Sequence, residues 1–515
     1  MAVTLNQNQI SGIVISAGDV SGNVITTEYM ESSATRPNIT YVSNFGHNSL
    51  FILADGVVYS TSGTQGHSNN TTGRGTGGTT QSYGLDGLKQ VPIPTSYPIV
   101  QVGGGYYAYA FALDSAGQLF TWGVNSVGTC GVSTVTQIPY PVLAATGVVK
   151  VYDDPSNGNY DQTSTRLFIL KTDGYVYGTG YNGLGALGIN STTNVSVFTK
   201  ILQTGGISFP ANSIRSLWNL GTLYGMTVIQ TTDGHIWVAG YNGYGQLGIG
   251  STTNATLFTD TSGAWNGGDY TQVLQKVGGG FGYYDTAANS SCTCVMWMAN
   301  PSGVHLIKTC GCSTWGSLGN GGVTQVNSTP YTVNVGTGTI ADIATTGGGP
   351  LTIHVLKSDG TLYGWGHNGL GEVGIGTTAA TPSPTIVNTG VNRLFMHGFT
   401  NHTYSYRVTM FMEKTDGTIW CTGWNGNGEL GVGDITQRNG WTLALINAYI
   451  PMVAGYIKFC TSYQATSGAT VTLVVTGNNT IYAWGYNGTS AVTWQSATNA
   501  LYPMEFALPR GERTY

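Results

Sequence analysis

Four of the seven cysteines carry the most pointed chemistry in the chain: Cys292-Thr293-Cys294 and Cys310-Gly311-Cys312 flank a short turn at Asn300 to Gly303. Cys292 with Cys312, and Cys294 with Cys310, are centred on the same point of that turn, so each pair would face across two antiparallel strands in one register. Residues i and i+2 share a strand face, which puts all four sulfurs on one side. Three chemistries fit: a ladder of two cross-strand disulfides, a zinc ion held by four thiolates, or reduced thiols. Zinc sites usually draw on C-x2-C knuckles, and C-x-C on flat strands splays the ligands. The spacing therefore favours the disulfides Cys292–Cys312 and Cys294–Cys310 and no metal. Cys130, Cys421 and Cys460 read as isolated core or loop thiols.

A second candidate is Gly183-x-Gly185-x-x-Gly188, which matches a dinucleotide-binding fingerprint, as do the runs starting at Gly243, Gly369 and Gly426. That motif works only between a parallel strand and a helix whose N-terminus receives the phosphate. Each copy here is followed by sequence with no good helix start, so no cofactor is expected. Paired carboxylates come third. Asp153-Asp154, or Glu429 with Asp434, could be imagined as an acid/base pair, but nothing singles them out. With no G-x-S-x-G, no H-E-x-x-H and no clustered His/Asp ligands, the expectation is a protein that is not an enzyme. The fourth candidate is aromatic. Tyr106 and Tyr107 follow a triple glycine, and Tyr181, Tyr241, His367, Trp424 and Tyr486 recur at one place in a repeat. They should form a ring on one face, either packed between neighbouring units or offered to a glycan or protein partner.

The elements that must position these residues are hairpins. Asp-Gly turns sit at Asp55-Gly56, Asp173-Gly174, Asp233-Gly234, Asp359-Gly360 and Asp416-Gly417, with looser versions at Asp114 to Gly117, Asn300 to Gly303 and Gly477 to Asn479. Asp-Gly between two short apolar runs is a strong hairpin signal, because the turn needs φ > 0. The glycines that close the hairpins (Gly63, Gly123, Gly180, Gly240, Gly311, Gly366, Gly423 and Gly485) are spaced by 60, 57, 60, 71, 55, 57 and 62 residues. A loop signature follows, Gly-x-Asn-x-x-Gly-x-x-Gly, met at Gly123, Gly180, Gly240, Gly366 and Gly423, with Ser313 replacing Asn in the copy at Gly311. Its asparagines, such as Asn182 and Asn242, read as caps for loop backbone groups. A period near 60 with several short strands per unit predicts an all-β chain, a β-propeller of seven to eight blades.

The stretches Gly46-His47 through Tyr59 and Leu356 through Gly374 closely fit the repeat G-x-x-H-x-x-x-L-x-x-D-G-x-V-Y-x-W-G-x-N-x-x-G-Q-L-G. Residues 45 to 507 thus resemble the family of the regulator of chromosome condensation. The resemblance implies a propeller, seven-bladed in the best-known members, and does not by itself imply their functions. Net charge is −5, and the 18 basic residues are scattered without a stripe or tail, so nucleic-acid binding is not expected. The chromatin role of the family's founder is therefore unsupported, and its exchange activity on a small GTPase is not expected. The family's ultraviolet photoreceptors use clustered Trp beside Arg in a G-W-R-H-T motif, which is absent here.

Only 8% of residues are charged, against a typical ~25%, while Gly reaches 78, Tyr 31 and Trp 12. The surface should be Thr-, Ser-, Asn-, Gly- and Tyr-rich. No 18-residue apolar span exists, so no membrane insertion is expected. MAVTLNQNQISGIVISAGDV lacks a basic region followed by an apolar one, which implies synthesis in a cytoplasm without an ordinary secretion signal.

The domain reading is residues 1–45 as a β-rich attachment segment or a source of a closing strand, 46–508 as the propeller, and 509–515 as a tail. Residues 64 to 90 form a long polar loop. The ring should be closed by N- and C-terminal segments: Tyr502 to Leu508 look like the Pro-containing run that precedes other hairpins, and are expected to join the first one. The low-charge surface, the missing secretion signal and the non-repeat N-terminus point to a virion structural or adhesion protein of a bacterial virus. Its first segment would bind other virion proteins, and its propeller a host-surface glycan or protein, with homo-oligomerisation left open. The alternative is a cytoplasmic protein-interaction scaffold or inhibitor propeller.

Overall fold

Each Asp-Gly pair turns the chain because its glycine takes a left-handed φ, +92° at Gly234 for example. The preceding aspartate then holds the turn: Asp359 Oδ1 accepts Thr361 N–H at 2.9 Å, and Asp416 Oδ1 accepts Thr418 N–H at 2.9 Å. In the computed structural model the described residues are 37–45, 49–60, 89–105, 109–132, 136–152, 165–221, 224–281, 292–313, 315–323, 325–346, 351–401, 405–466, 469–487 and 499–506. Among them lie eight sheets, seven of four antiparallel strands and one of six in which one added strand pairs parallel. They are the blades of an eight-bladed propeller.

The first strand of each blade is innermost. These strands are Ile39–Phe45, Ile99–Gly105, Val148–Tyr152, Ile214–Leu220, Val273–Phe281, Ile340–Thr345, Val391–Asn401 and Ile457–Thr466, for blades 1 to 8 in order. Neighbouring first strands touch at most junctions, and between blades 2 and 3 the second strand Tyr109–Asp114 meets Val148–Tyr152. Each carries a β-bulge near its start, which bends it and raises its twist close to the axis. Second strands are sandwiched between blades, and Tyr109–Asp114, Met226–Thr231 and Thr352–Lys357 are buried throughout. That explains why they lack the strict apolar–polar alternation of a half-exposed strand. Fourth strands lie on the rim and alternate loosely, and several contain proline, as in Gln137–Ala145, Thr381–Asn388 and Ala500–Phe506. Proline is at home there because an edge strand has N–H groups that need no ladder partner.

That placement corrects one expectation. The run at Tyr502 does not join the first hairpin; Ala500–Phe506 is the outer strand of blade 8, with Ile481 opposite Phe506 and Gly485 opposite Ala500. The proline run follows the hairpin it belongs to instead of preceding the next. Blade 1 takes its outer strand, Lys89–Gln90, from its own side of the chain. Closure is face-to-face. Ile39 and Ile52 of blade 1 share a buried cluster with Val471, Leu473 and Trp484 of blade 8. Ile39 N–H donates to Asn479 Oδ1 at 3.2 Å, and Lys458 Nζ to the same oxygen at 2.7 Å.

Ile39–Phe45, read as part of the N-terminal segment, is thus the innermost strand of blade 1. Residues 1–36, most of the polar loop at 64–88, and the tail at 509–515 lie outside the described residues. Blade 4 has six strands because Leu202–Gln203 and Ile207–Ser208 form a ribbon on its outer edge.

Candidate functional site

In blades 2 to 7 the glycine-rich loop leaves the third strand at the end opposite the hairpin turn. Its asparagine holds it in shape. Asn182 Oδ1 accepts Leu187 N–H at 2.9 Å while Nδ2 donates to Ser191 O at 2.7 Å, and Asn242, Asn368 and Asn425 repeat the arrangement. Its glycines press against the next blade. A Cβ on Gly185, whose φ is +81°, would stand 2.7 Å from Thr256 Cα, and one on Gly245 would stand 2.6 Å from Ser328 Cα. The loop is therefore a clasp between blades, and the fingerprint glycines at Gly183, Gly243, Gly369 and Gly426 open no helix. Among the described residues the α-helix is a single four-residue turn, Ser262–Trp265.

The aromatic positions do occupy equivalent places. Backbone N–H groups of Tyr181, Tyr241, His367, Trp424 and Tyr486 donate to the carbonyls of Thr165, Gly225, Leu351, Val408 and Thr470; the first three directly precede that blade's second strand, and Val408 and Thr470 lie within it. Tyr181, Tyr241, Trp424 and Tyr486 are half-buried on one end of the propeller. Tyr181 lies against Gly183, Tyr241 against Gly243 and Trp424 against Gly426, where any side chain would collide with the ring. His367 differs: it is buried, and its Nδ1 is hydrogen-bonded to the buried carboxylate of Glu372. Tyr106 and Tyr107 lie outside the described residues.

The structure adds neighbours that the sequence reading missed. Tyr224 packs on Tyr241 with ring centroids 4.8 Å apart, and Tyr244 stands at 6.1 Å from it. Trp315 meets His367 edge-on at 5.2 Å, and the Arg407 guanidinium lies 4.8 Å from the Trp424 ring centre. Tyr244 and Trp315 both directly precede the second glycine of the loop signature, a spacing that could have found them. Arg407 lies in the second strand of blade 7 and Tyr224 just before that of blade 4, and neither carries such a signal. The indole N–H groups of Trp315 and Trp424 are buried without a hydrogen-bond acceptor among the described residues.

The cysteine register is as the sequence implies: Cys294 faces Cys310 and Thr293 faces Gly311 across the hairpin of blade 5. The sulfurs stand as thiols. Burial pushes the Cys310 thiol up to about 12 and holds those of Cys292 and Cys294 well above their ordinary value. Among the described residues no group of three or more His, Cys, Asp or Glu side chains converges to hold a metal ion. Glu429 and Asp434 serve loops. Glu429, pushed up by burial, accepts Asn427 N–H at 2.7 Å; Asp434, held low by its bond to Arg438 at 2.7 Å, also accepts Thr436 N–H at 2.8 Å. Asp153 and Asp154 lie outside the described residues, among which no helix is long and apolar enough to cross a membrane.

No family model matches the chain. It is similar to the ultraviolet-B receptor UVR8 of Arabidopsis thaliana, at 24% identity over 365 residues, 70% of this chain and 71% of the receptor. It is also similar to the probable E3 ubiquitin-protein ligase HERC4 of Homo sapiens, at 28% identity over 174 residues; the match covers 30% of this chain and only 14% of the ligase. Among solved structures, Prp20p of Saccharomyces cerevisiae superposes with a TM-score of 0.51 at 14% identity, covering 83% of this chain and 90% of that one.

Proposed function

We propose that this chain, a β-propeller of the regulator-of-chromosome-condensation type, is a non-enzymatic interaction module that grips a protein partner with its aromatic loop face. The observation that carries the reading is the set of half-buried rings, Tyr181, Tyr241, Trp424 and Tyr486, set at one backbone position in four blades. Large rings on a rigid scaffold lose little entropy on binding and suit interface anchors. The yeast propeller is described with its binding to Gsp1p and histones, which favours a protein partner by analogy. With a net charge of −5 and no basic stripe, nucleic acid is not the partner here.

The relatives bear on the setting. They are proteins of a plant, a mammal and a yeast, and they favour a cellular, cytoplasmic scaffold over the virion head suggested by composition, for which they offer no support. Ultraviolet-B reception is not carried over, since the G-W-R-H-T motif is missing.

The test is affinity capture with the purified chain, followed by calorimetric titration of the recovered protein in pure form. Tyr241→Ala and Trp424→Ala should each weaken binding roughly 5- to 30-fold, the effect of losing an anchor worth one or two kcal/mol. Met452, 58% exposed, adjoins the Asp416-Gly417 turn at the other end of the blades. Binding that ignores both aromatic changes and falls with Met452→Ser would refute the assigned face. Saturable binding to a bacterial glycan array, with no protein captured, would restore the adhesin.

A further inference from the structure

The seam between blades 4 and 5 is tied by a thiol where two other seams use a hydroxyl. The residue before the closing glycine is Thr179 in blade 3, Thr422 in blade 7 and Cys310 in blade 5. Thr179 Oγ1 donates to the carbonyls of Gly128, in the preceding blade's loop, and Val195, in its own outer strand, both at 2.9 Å. Thr422 Oγ1 does the same with Gly371 O at 2.8 Å and Arg438 O at 2.9 Å. Cys310 Sγ stands 2.9 Å from Gly245 O and 2.9 Å from Asn327 O, the corresponding two carbonyls. Its S–H is the shared donor joining the Tyr241 loop of blade 4 to blade 5.

Directly across the hairpin is Cys294, and both residues belong to one buried cluster. Residues opposed in an antiparallel pair have Cα atoms about 4.5–5.5 Å apart, inside the ~4.4–6.8 Å that a disulfide spans. Bridging therefore needs side-chain rotation and little backbone movement.

We propose that Cys294 and Cys310 are a redox pair whose oxidation unties the glycine-rich loop of blade 4 from blade 5. The oxidant class is a peroxide. The Cys310 thiolate attacks one peroxide oxygen, the O–O bond breaks, and the departing hydroxide takes the thiol's proton to become water, leaving Cys310 as a sulfenic acid. The Cys294 sulfur then attacks that sulfur; the S–O bond breaks, and hydroxide leaves with the Cys294 proton as a second water. Two thiols and one hydrogen peroxide give one disulfide and two waters. The product has no S–H, so Gly245 O and Asn327 O lose their donor together. Because burial keeps both thiols protonated, the reaction waits on local opening of the hairpin and is slow beside that of an exposed, low-pKa sensor cysteine.

The experiment needs no partner, so its outcome is separate from that of the interaction reading. The full chain is treated with hydrogen peroxide, mapped by mass spectrometry without reductant, and followed by amide hydrogen exchange across residues 240–250. A Cys294–Cys310 bridge should accumulate, and those amides should exchange roughly 5- to 30-fold faster, as for loss of one or two kcal/mol of local stability. Two variants check the cause. Cys310→Thr keeps the donor in the form that Thr179 and Thr422 use, and Cys294→Ala keeps Cys310 but removes its partner; both should hold the reduced exchange rate and ignore peroxide. The proposal falls if no such bridge forms, if a Cys292–Cys312 bridge forms instead, if the bridge leaves exchange unchanged, or if Cys294→Ala responds like the parent.

Discussion

His354 makes the propeller's stability depend on pH in a way that one substitution should erase. It sits on the second strand of blade 6, fully buried, where the matching register positions in other blades are Phe111, Phe168, Val228, Phe411 and Leu473. Its Nε2–H donates to Val373 O at 3.3 Å, and its Nδ1 has no partner among the described residues. Burial, partly offset by that bond and by Glu372, lowers its pKa from 6.5 to about 4. The folded form therefore binds a proton less readily than the unfolded chain. Its contribution is fully present above pH ~6.5 and is lost as pH falls toward 4, with a total swing of about 3 kcal/mol.

Blade 3 supplies the repair. There Phe168 faces Gly178 beside Leu187, just as His354 faces Gly364 beside Val373, with closest approaches of 2.9–3.0 Å from a Cβ built on either glycine. His354→Phe should fold and be flatter in its pH response. The assay is urea unfolding of both proteins at several pH values between 7 and 4. The difference in unfolding free energy between parent and variant should grow in the variant's favour by up to about 1.4 kcal/mol per pH unit inside the window. Taking the difference cancels the carboxylates, which titrate alike in both. A difference that stays constant with pH would refute the reasoning, since it would mean that His354 does not take up its proton on unfolding.

Other consequences are simpler. Gly185→Ala forces a side chain onto a backbone at φ +81° and against Thr256 Cα, so it should cost about 1–3 kcal/mol or more, read as a lower urea midpoint; an unchanged midpoint would show that the clasp is loose. Glu429 has its carboxyl raised by burial, so the folded state holds its proton longer than the unfolded chain and stability declines as pH rises through that window. Glu429→Gln keeps the acceptor for Asn427 N–H, as Gln246 does for Tyr244 at 3.1 Å, and gives up the bond from Asn427 Nδ2, so its net effect at pH 7 should stay within about 1 kcal/mol. A loss above about 1 kcal/mol would mean that the ionised carboxylate has a partner of real worth.

The hairpins, the repeat and the asparagine caps were legible because each rests on a local demand: φ > 0 at Gly234 or Gly360, or a side-chain acceptor five residues before the amide it caps. What was not legible needs register across the chain. Whether the proline run at Tyr502 opens a blade or closes one is invisible locally, since an edge strand looks the same from either side. Trp265 makes the point more sharply. Its Nε1–H donates to Leu247 O at 3.0 Å, as Trp365 does to Ser317 O at 3.1 Å and Trp484 to Glu429 O at 2.8 Å. The latter two sit beside the closing glycine of the third strand and reach back to the preceding blade's loop; Trp265 reaches the loop of blade 4 from the linker to blade 5, whose own residue beside the closing glycine is Cys310. Arg407 reaches Trp424 from the second strand of the same blade, and no spacing rule in the sequence joins them.

The same accounting argues where recognition can reside. In the Asn182 loop the amides of Tyr181, Asn182, Gly185, Leu187 and Gly188 all donate within the fold, to Thr165 O, Asn194 Oδ1, Asn182 O, Asn182 Oδ1 and Gly185 O. A phosphate cradle needs several uncommitted N–H groups, and these five are committed to the fold. What the repeat leaves unassigned is side-chain identity at the position after the closing glycine. Four of those side chains remain half-buried, while His367 is withdrawn onto Glu372, so the face divides into an arm of Tyr181 and Tyr241 on blades 3 and 4 and an arm of Trp424 and Tyr486 on blades 7 and 8. Tyr241→Ala and Trp424→Ala, one on each arm, then distinguish two kinds of partner. A partner that spans both arms should lose affinity from each change, with the losses adding because the sites share no neighbour. A partner that uses one arm should respond to one change alone, and its footprint would lie to one side of the axis.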